Sequence, residues 1–176
     1  QNAEIHFNLG KVHFTTGRLS QALESFTKST QYEKENGKYH FYLGQVYEKI
    51  LKIDEAIANY KITRKFSPDI AEANRRLGLL LFNKNNYRKA VEPLRDYIIH
   101  NPDSTRILSI FSDVLFEETR YPEAIDGYTR LIQNEPDNID YYLKLAKAYT
   151  KMEDFENAML IYEIALDYND ELASIY

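Results

Sequence analysis

A 34-residue period is the feature of this sequence that most restricts how the chain can fold. Alanine recurs at this spacing five times, at Ala22, Ala56, Ala90, Ala124 and Ala158. Three of the six glycines share the period, namely Gly10, Gly44 and Gly78, and so do three of the five prolines, Pro68, Pro102 and Pro136. A fixed period of this length predicts a stack of similar units in place of one central core.

Each period contains two predicted amphipathic helices. Apolar residues follow helical spacing around every alanine, as in Ile53, Ala56, Ile57 and Tyr60, and the same holds around the glycines. The small residue then marks a close crossing of two helices, because a larger side chain would hold their backbones apart. Proline ends the second helix, since it cannot donate a backbone hydrogen bond and disfavours a helical residue before it.

Three helix starts and one interruption are also predicted. Asn86, Arg120 and Asp154 precede the second helices of the third to fifth units, and Pro122 suits a first-turn position. Pro93 falls inside the second helix of the third unit. We interpret it as a local change of curvature on the outer face of that helix.

The order of residue types within each period resembles the tetratricopeptide repeat (TPR). The second unit carries the family's pattern most completely, with His40, Leu43, Gly44, Tyr47, Ala56, Tyr60, Thr63 and Pro68. The resemblance implies a single all-α domain over residues 1–176, a right-handed α-α superhelix of about ten antiparallel helices. The five predicted repeats are 3–36, 37–70, 71–104, 105–138 and 139–172, and residues 173–176 would begin a sixth unit or be a truncated end. In the fifth repeat Asp170 stands where proline is expected.

Composition excludes several classes of protein. A chain without cysteine has neither disulfides nor thiolate metal sites. Its longest apolar run is far shorter than the roughly 18 residues of a membrane-spanning helix. A net charge of −5 argues against a dedicated nucleic-acid binder. Neither the lack of cysteine nor the first residue, Gln1, assigns a compartment.

Little in the sequence points to catalysis or to a cofactor. Gly-rich phosphate loops, nucleophile elbows and zinc-protease motifs are missing. His6, His13 and His40 could meet and bind a metal, but they occupy positions where the family packs aromatic residues, and packing is the favoured interpretation. Carboxylate pairs such as Glu117 and Glu118 are expected on solvated faces. We therefore predict no enzyme activity and no cofactor.

The inner face of the stacked first helices is the predicted binding surface. By the resemblance, a partner protein or peptide would lie in this concave groove, which has nearly balanced charge. Seven apolar residues in it, mostly phenylalanine, could equally pack between repeats or anchor a ligand. The partner-binding residues predicted here are Phe7, Lys11, Phe14, Lys38, Phe41, Gln45, Arg75, Arg76, Leu79, Phe82, Arg106, Asp113, Phe116, Leu143 and Lys147.

Other binding functions are weighed against this groove. TPR domains that hold the acidic tail of heat-shock chaperones share a carboxylate clamp of Lys, Asn and Arg, and no three consecutive units here reproduce it. Single-stranded RNA binding is disfavoured by the acidic charge. The main hypothesis is a non-catalytic interaction scaffold for a peptide with apolar anchors and some acidic character. The alternative is self-assembly through the terminal repeats, which have no polar capping helix.

Overall fold

The computed structural model describes the backbone of residues 2–175 and the side chains of residues 2–168. Over that part of the chain the structure consists of ten α-helices joined by short turns, with no strand. The first helices of the predicted repeats are α1 (Asn2–Thr15), α3 (Gly37–Lys49), α5 (Ala71–Asn83), α7 (Thr105–Glu117) and α9 (Ile139–Lys151). The second helices are α2 (Leu19–Tyr32), α4 (Ile53–Phe66), α6 (Tyr87–His100), α8 (Tyr121–Asn134) and α10 (Phe155–Ile175). The all-α helix-turn-helix fold predicted from the period is confirmed.

The helices group into two compact units. The N-terminal unit is Gln1–Lys84 and contains α1 to α5, and the C-terminal unit is Asn85–Tyr176 and contains α6 to α10. The boundary falls between the two helices of the third predicted repeat. The repeat boundaries and the single domain inferred from the sequence stay predictions.

Small residues lie where paired helices cross. Ala22 and Ala56 are completely buried. A Cβ atom added to Gly10 would stand 2.6 Å from ring carbons of Phe26, and one added to Gly44 would stand 2.7 Å from the ring of Tyr60. These separations are shorter than any normal contact, so the backbone of the first helix lies directly against an aromatic ring of the second. The close crossing expected from the period is confirmed at both glycines.

The turn between the two helices of each repeat follows the same period. Five residues spaced by 34 adopt the left-handed backbone conformation, and these are Gly17, Leu51, Asn85, Thr119 and Glu153. At the first turn Gly17 N donates to Phe14 O and Arg18 N donates to His13 O, the paired bonds of a Schellman motif. Only one of the five positions is glycine, although left-handed backbone strains other L-residues. The turn geometry is therefore imposed by the packing of the two helices.

The core of the N-terminal unit forms where the second repeat stacks on the first. Phe7 and Phe26 from the first repeat meet Tyr39, Leu43 and Val46 on α3. The ring centroids of Phe7 and Tyr39 are 4.6 Å apart. Aromatic residues of successive repeats thus supply much of the apolar contact between them.

Pro93 corrects one expectation. It lies inside α6 as predicted, but it is fully buried and does not belong to an outer face. The period explains why, because Pro93 occupies the same place in its repeat as Asn59 and Gly127, which are buried as well.

The predicted helix starts are confirmed. α6, α8 and α10 begin one residue after Asn86, Arg120 and Asp154, and Pro122 lies in the first turn of α8. Pro68 and Pro136 follow the ends of α4 and α8 by two residues. α10 has no proline in this place and continues through Ile175. Residues 173–175 therefore extend the second helix of the fifth repeat, whereas Tyr176 lies outside the described residues.

Candidate functional site

A pocket of about 440 Å³ opens on the N-terminal unit. Its walls come from the first helices of the first three repeats and from one turn, through Phe14, Gln45, Glu48, Lys49, Leu51 and Arg76. Gln45, Glu48 and Lys49 are spaced by three and four residues on α3, so their side chains project from one face of that helix. Three of these six residues, Phe14, Gln45 and Arg76, are among the partner-binding residues predicted from the sequence. We refer to this site as the N-terminal pocket.

One wall of the N-terminal pocket is a network of charges that spans two repeats. The Tyr60 hydroxyl donates to Glu48 Oε2 at 2.7 Å, and Arg76 Nη1 donates to the same oxygen at 2.9 Å. Arg76 Nε also donates to Glu72 Oε1 at 2.8 Å. Burial and the hydrogen bond to Glu48 both raise the pKa of Tyr60 far above its ordinary value. The network holds Glu48 and Arg76 in fixed positions beside the pocket.

Arg75 and Arg76 share one carboxylate. Arg75 donates through two nitrogens to Glu72, at 2.7 and 2.6 Å. Burial of Glu72 opposes its ionisation, but the hydrogen bonds and charges of the two arginines outweigh it, so the pKa of Glu72 is lowered. Both arginines were predicted to bind a partner, and the structure pairs them within the chain.

The three lysines of α1 and α3 have no carboxylate partner among the described residues. The Nζ atoms of Lys11 and Lys38 lie 5.0 and 5.4 Å from the centre of the Phe7 ring, within the range of a cation–π contact. Lys49 is exposed at the pocket, and none of these three lysines forms an ion pair within the described part of the chain. They supply the unneutralised positive charge on this side of the unit.

Leu51 stands out on the rim of the pocket. It is one of the left-handed turn residues, with φ of 61°, and 81% of its surface is exposed. A leucine in this position is costly twice, through its backbone and through its exposed apolar side chain. The left-handed backbone recurs at the equivalent turn residues, so it is the exposed apolar side chain that distinguishes this turn. Sequence reasoning missed Leu51 because the groove positions were taken from the first helices alone.

The three phenylalanines predicted for the groove in the first two repeats differ in exposure. Phe7 is 3% exposed and lies in the core, so its assignment to the groove surface is wrong. The packing alternative holds for it, because its ring fills the space against Tyr39 and Tyr42. Phe41 is half-buried and contacts the rings of Tyr42 and Tyr60. Phe14 packs with one side against the core and lines the pocket with the other.

With this geometry established, comparison with known proteins gives the family. A model of the ChAPs, the Chs5p-Arf1p-binding proteins, matches residues 9–165. The chain belongs to the ChAPs family. This ChAPs chain is also 25% identical to the BBSome complex member BBS4 of Bos taurus over 166 residues, which is 94% of the chain and 32% of BBS4. It therefore spans about a third of that relative.

Two solved structures show the fold of the ChAPs chain. MamA superposes with a TM-score of 0.73 at 22% identity, covering 98% of this chain and 94% of MamA. YrrB, a TPR protein with an unusual peptide-binding site, superposes with a TM-score of 0.77 at 18% identity, covering 93% of this chain and 84% of YrrB. The resemblance to tetratricopeptide repeats is thereby confirmed at the level of fold. Among the described residues, no helix combines the length and apolarity that crossing a membrane requires.

The C-terminal unit of the ChAPs chain repeats the hydroxyl–carboxylate–cation arrangement. Tyr128 donates to Asp113 Oδ1 at 2.9 Å, and Lys144 on the following repeat donates to Asp113 Oδ2 at 3.0 Å. Burial raises the pKa of Tyr128, and the charge of Asp113 raises it further. Asp113, predicted to bind a partner, is thus engaged between repeats.

These two hydrogen-bonded groups, which we call the inter-repeat joints, have a signal in the sequence. Tyr60 and Tyr128 occupy the same repeat position, and the repeat after each carries a cation, Arg76 or Lys144, at one shared position. The first repeat has Phe26 at the tyrosine position, and an aromatic residue, Tyr42, stands where the cation would be. Their rings pack at 5.6 Å. Polar and apolar partners change together along the chain, so the signal lies in pairs of repeat positions and not in the period of a single residue.

Other predicted partner-binding residues remain accessible to different degrees. Leu79, Phe82 and Phe116 are half-buried, and the Phe116 ring contacts Tyr121 at 5.4 Å. Those exposed in the C-terminal unit are Arg106, Leu143 and Lys147. Leu143 lines a second, apolar pocket of about 470 Å³ with Ile139, Tyr162, Ala165 and Leu166, which we call the C-terminal pocket.

Two of the three histidines, His40 and His6, are engaged with different partners. His40 is buried, with Nδ1 2.8 Å from Asn59 Oδ1 and Nε2 3.0 Å from the carbonyl oxygen of Lys34. The His6 ring stacks on Tyr32 with centroids 5.8 Å apart. The described residues contain no group of three or more His, Asp or Glu side chains arranged to hold a metal ion. The aromatic-like packing expected for histidine is seen at His6, whereas His40 also bridges two polar partners.

Proposed function

We propose that this ChAPs chain is a non-catalytic protein-interaction scaffold whose N-terminal pocket binds a peptide carrying one apolar side chain next to acidic residues. The observation that carries the proposal is that the apolar Phe14 and Leu51 line one cavity together with Lys49, whose ammonium group has no ion pair among the described residues. Family membership and the repeat fold support the scaffold role. The polar network beside the pocket is occupied by contacts within the chain and offers no free acid–base pair.

The apolar half of the pocket selects the anchor. Leu51 is exposed and strained, so a ligand side chain that covers it removes apolar surface from water without first breaking an existing contact. Phe14 already packs on the core from behind, which fixes its ring for such a contact. A leucine or phenylalanine side chain of the ligand fits between these two residues.

The polar half of the pocket selects charge. Lys49 on α3 supplies a cation at the pocket, while Lys11 on α1 and Lys38 near the start of α3 lie over the Phe7 ring. Glu48, the carboxylate at the pocket, is already neutralised by Arg76. Acidic residues beside the anchor therefore meet unpaired positive charge, which speeds association and lowers affinity at high salt.

Known proteins support a protein partner without identifying it. YrrB has a peptide-binding site, BBS4 is a member of the BBSome complex, and ChAPs are named for binding Chs5p and Arf1p. Each of these properties is that of the named protein. For this chain they favour a peptide or protein ligand over a small molecule.

Selection from a random peptide library displayed on phage tests the proposal. The immobilised 176-residue chain is expected to enrich peptides with a leucine or phenylalanine flanked by aspartate or glutamate. An enriched peptide, made with a fluorescent label, should then bind the Phe14→Ala and Lys49→Glu variants at least about tenfold more weakly than the unmodified chain. Raising the salt concentration should weaken binding to the unmodified chain more than binding to Lys49→Glu.

Lys89→Glu is the matched control. Lys89 is an exposed lysine on α6, in the other unit, and the same charge change there should leave peptide affinity within about twofold. Enrichment of peptides without acidic residues, or equal binding to Phe14→Ala and the unmodified chain, would place the binding site elsewhere.

A further inference from the structure

The outer face of α1 is apolar and uncovered. Ile5, Leu9 and Val12 are spaced by four and three residues, which puts them on one side of the helix. Their surfaces are 62%, 45% and 58% exposed. The solvent-facing side of a helix normally carries polar residues. Three exposed apolar residues in a row along this side therefore indicate a contact surface.

The same positions in later repeats form the contact between repeats. Adding 34 gives Tyr39, Leu43 and Val46 on α3, which are buried in the core against the first repeat. Adding 136 gives Tyr141, Leu145 and Ala148 on α9, and these are buried too. The α1 face therefore has the composition of a surface that docks on a preceding repeat.

The complementary surface lies on the C-terminal unit. The C-terminal pocket residues Leu143 and Tyr162 occupy the repeat positions of Phe7 and Phe26. In the first repeat these positions are covered by α3, whose Tyr39 ring contacts Phe7. Tyr162 is 36% exposed, whereas its equivalent Tyr128 is 2% exposed. The C-terminal pocket is thus a repeat-docking surface that no helix among the described residues covers in the way that α3 covers Phe7.

We propose that these two surfaces bind each other between copies of this chain, so that α1 of one copy docks in the C-terminal pocket of another. Ile5 takes the place that Tyr39 has within the chain and enters the space beside Leu143 and Tyr162. The partner is a second copy because one chain carries both halves of a contact that it already uses internally. Both surfaces are apolar, so their contact leaves no charge buried without a partner.

The contact is heterologous, joining different surfaces on the two copies. The bound pair still presents one free surface of each kind, one on each copy, so association can continue in one direction. Assembly size should therefore rise with concentration instead of stopping at a dimer. This inference is independent of the peptide proposed for the N-terminal pocket, since Ile5 and the C-terminal pocket residues do not line it.

Sedimentation velocity of the 176-residue chain over about 1–300 μM tests the proposal. The unmodified chain should shift to larger species as concentration rises. Ile5→Glu and Leu166→Glu each place a carboxylate in one of the two surfaces, and each should weaken self-association at least about tenfold. Both residues are more than 60% exposed, so the variants keep the fold, which circular dichroism checks.

Mixing the two variants gives the sharpest outcome. Leu166→Glu retains an intact α1 face and Ile5→Glu retains an intact C-terminal pocket, so an equimolar mixture should form a 1:1 dimer and nothing larger. Ile99→Glu is the matched control, because Ile99 is 66% exposed on α6 and belongs to neither surface. A monomeric unmodified chain at the highest concentration, or a mixture without dimer, would overturn the proposal.

Discussion

The phenolic hydroxyl of Tyr60 donates a 2.7 Å hydrogen bond to Glu48, and Arg76 from the next repeat binds the same carboxylate oxygen. Glu48 on α3 thereby connects α4, which carries Tyr60, to α5, which carries Arg76. Tyr128, Asp113 and Lys144 form the equivalent joint in the C-terminal unit. These two joints are polar, whereas the joint between the first and second repeats is built from aromatic rings.

Replacing Tyr60 by phenylalanine should destabilise the chain. The substitution keeps the buried ring and removes a hydrogen bond to a charged acceptor, for an expected loss of about 1–2 kcal/mol in the free energy of unfolding. Urea denaturation followed by circular dichroism measures the change. Tyr162→Phe is the control, because the Tyr162 hydroxyl has no hydrogen-bond partner in the described part of the chain. Equal effects of the two substitutions would contradict the role of the joint.

Leu51→Gly should stabilise the chain and weaken peptide binding. Glycine adopts the left-handed conformation without strain, and the gain after its own entropic cost is about 0.5–1 kcal/mol. Loss of the Leu51 side chain removes one wall of the N-terminal pocket. Asn85→Gly is the matched control at the equivalent turn position, where asparagine already tolerates this backbone conformation and the gain should be smaller. A less stable Leu51→Gly variant would show that leucine packs favourably there.

Gly10→Ala should cost about 1–3 kcal/mol of stability. The added Cβ atom would collide with the ring of Phe26, which is completely buried and has no room to move. Combining it with Phe26→Leu should recover part of the loss, since the third repeat uses Leu94 at this position. Thermal and urea unfolding of the two single variants and the double variant measure this coupling. Strict additivity would indicate that the collision is relieved elsewhere.

The stabilisation from Glu72 should depend on pH. Its pKa is lowered in the folded chain, so its contribution is fully present above the ordinary value near 4.5 and is lost as the pH falls through the folded-state value. Glu72→Gln should therefore be less stable than the unmodified chain at pH 7, and the difference should shrink at about pH 3. Glu163→Gln is the control, an exposed glutamate without an ion pair among the described residues. A difference that is the same at both pH values would contradict the assignment.

Much of the fold is predictable from the period because the repeated residues lie at helix crossings and helix ends. Ala22, Gly10 and Pro68 each answer a local requirement for small size or for helix termination, so their spacing shows which helices pair and where they end. The same period could have placed Pro93 inside, since Asn59 and Gly127 share its repeat position. Our outer-face interpretation considered the proline in isolation.

The binding site was less predictable. Phe7 and Phe14 both occupy groove positions in the pattern, yet one is in the core and the other lines the pocket, because exposure depends on the ring sizes of neighbours such as Tyr39 and Tyr42. Arg76 and Asp113 look like free groove charges until the partners on adjacent helices are known. Leu51 gives no sequence signal, since left-handed backbone at a leucine is set by the packing of α3 and α4.

The five left-handed turn residues also determine which changes of length the chain can accept. An extra residue in the turn at Leu51 would rotate α4 by about 100° about its axis. Ala56 would leave its crossing with α3, and exposed polar residues such as Glu55 would face the core. Substitution at these turns changes the energy of one residue, whereas insertion misaligns a whole helix. Single-residue insertions in these turns are therefore expected to destabilise the chain far more than substitutions do.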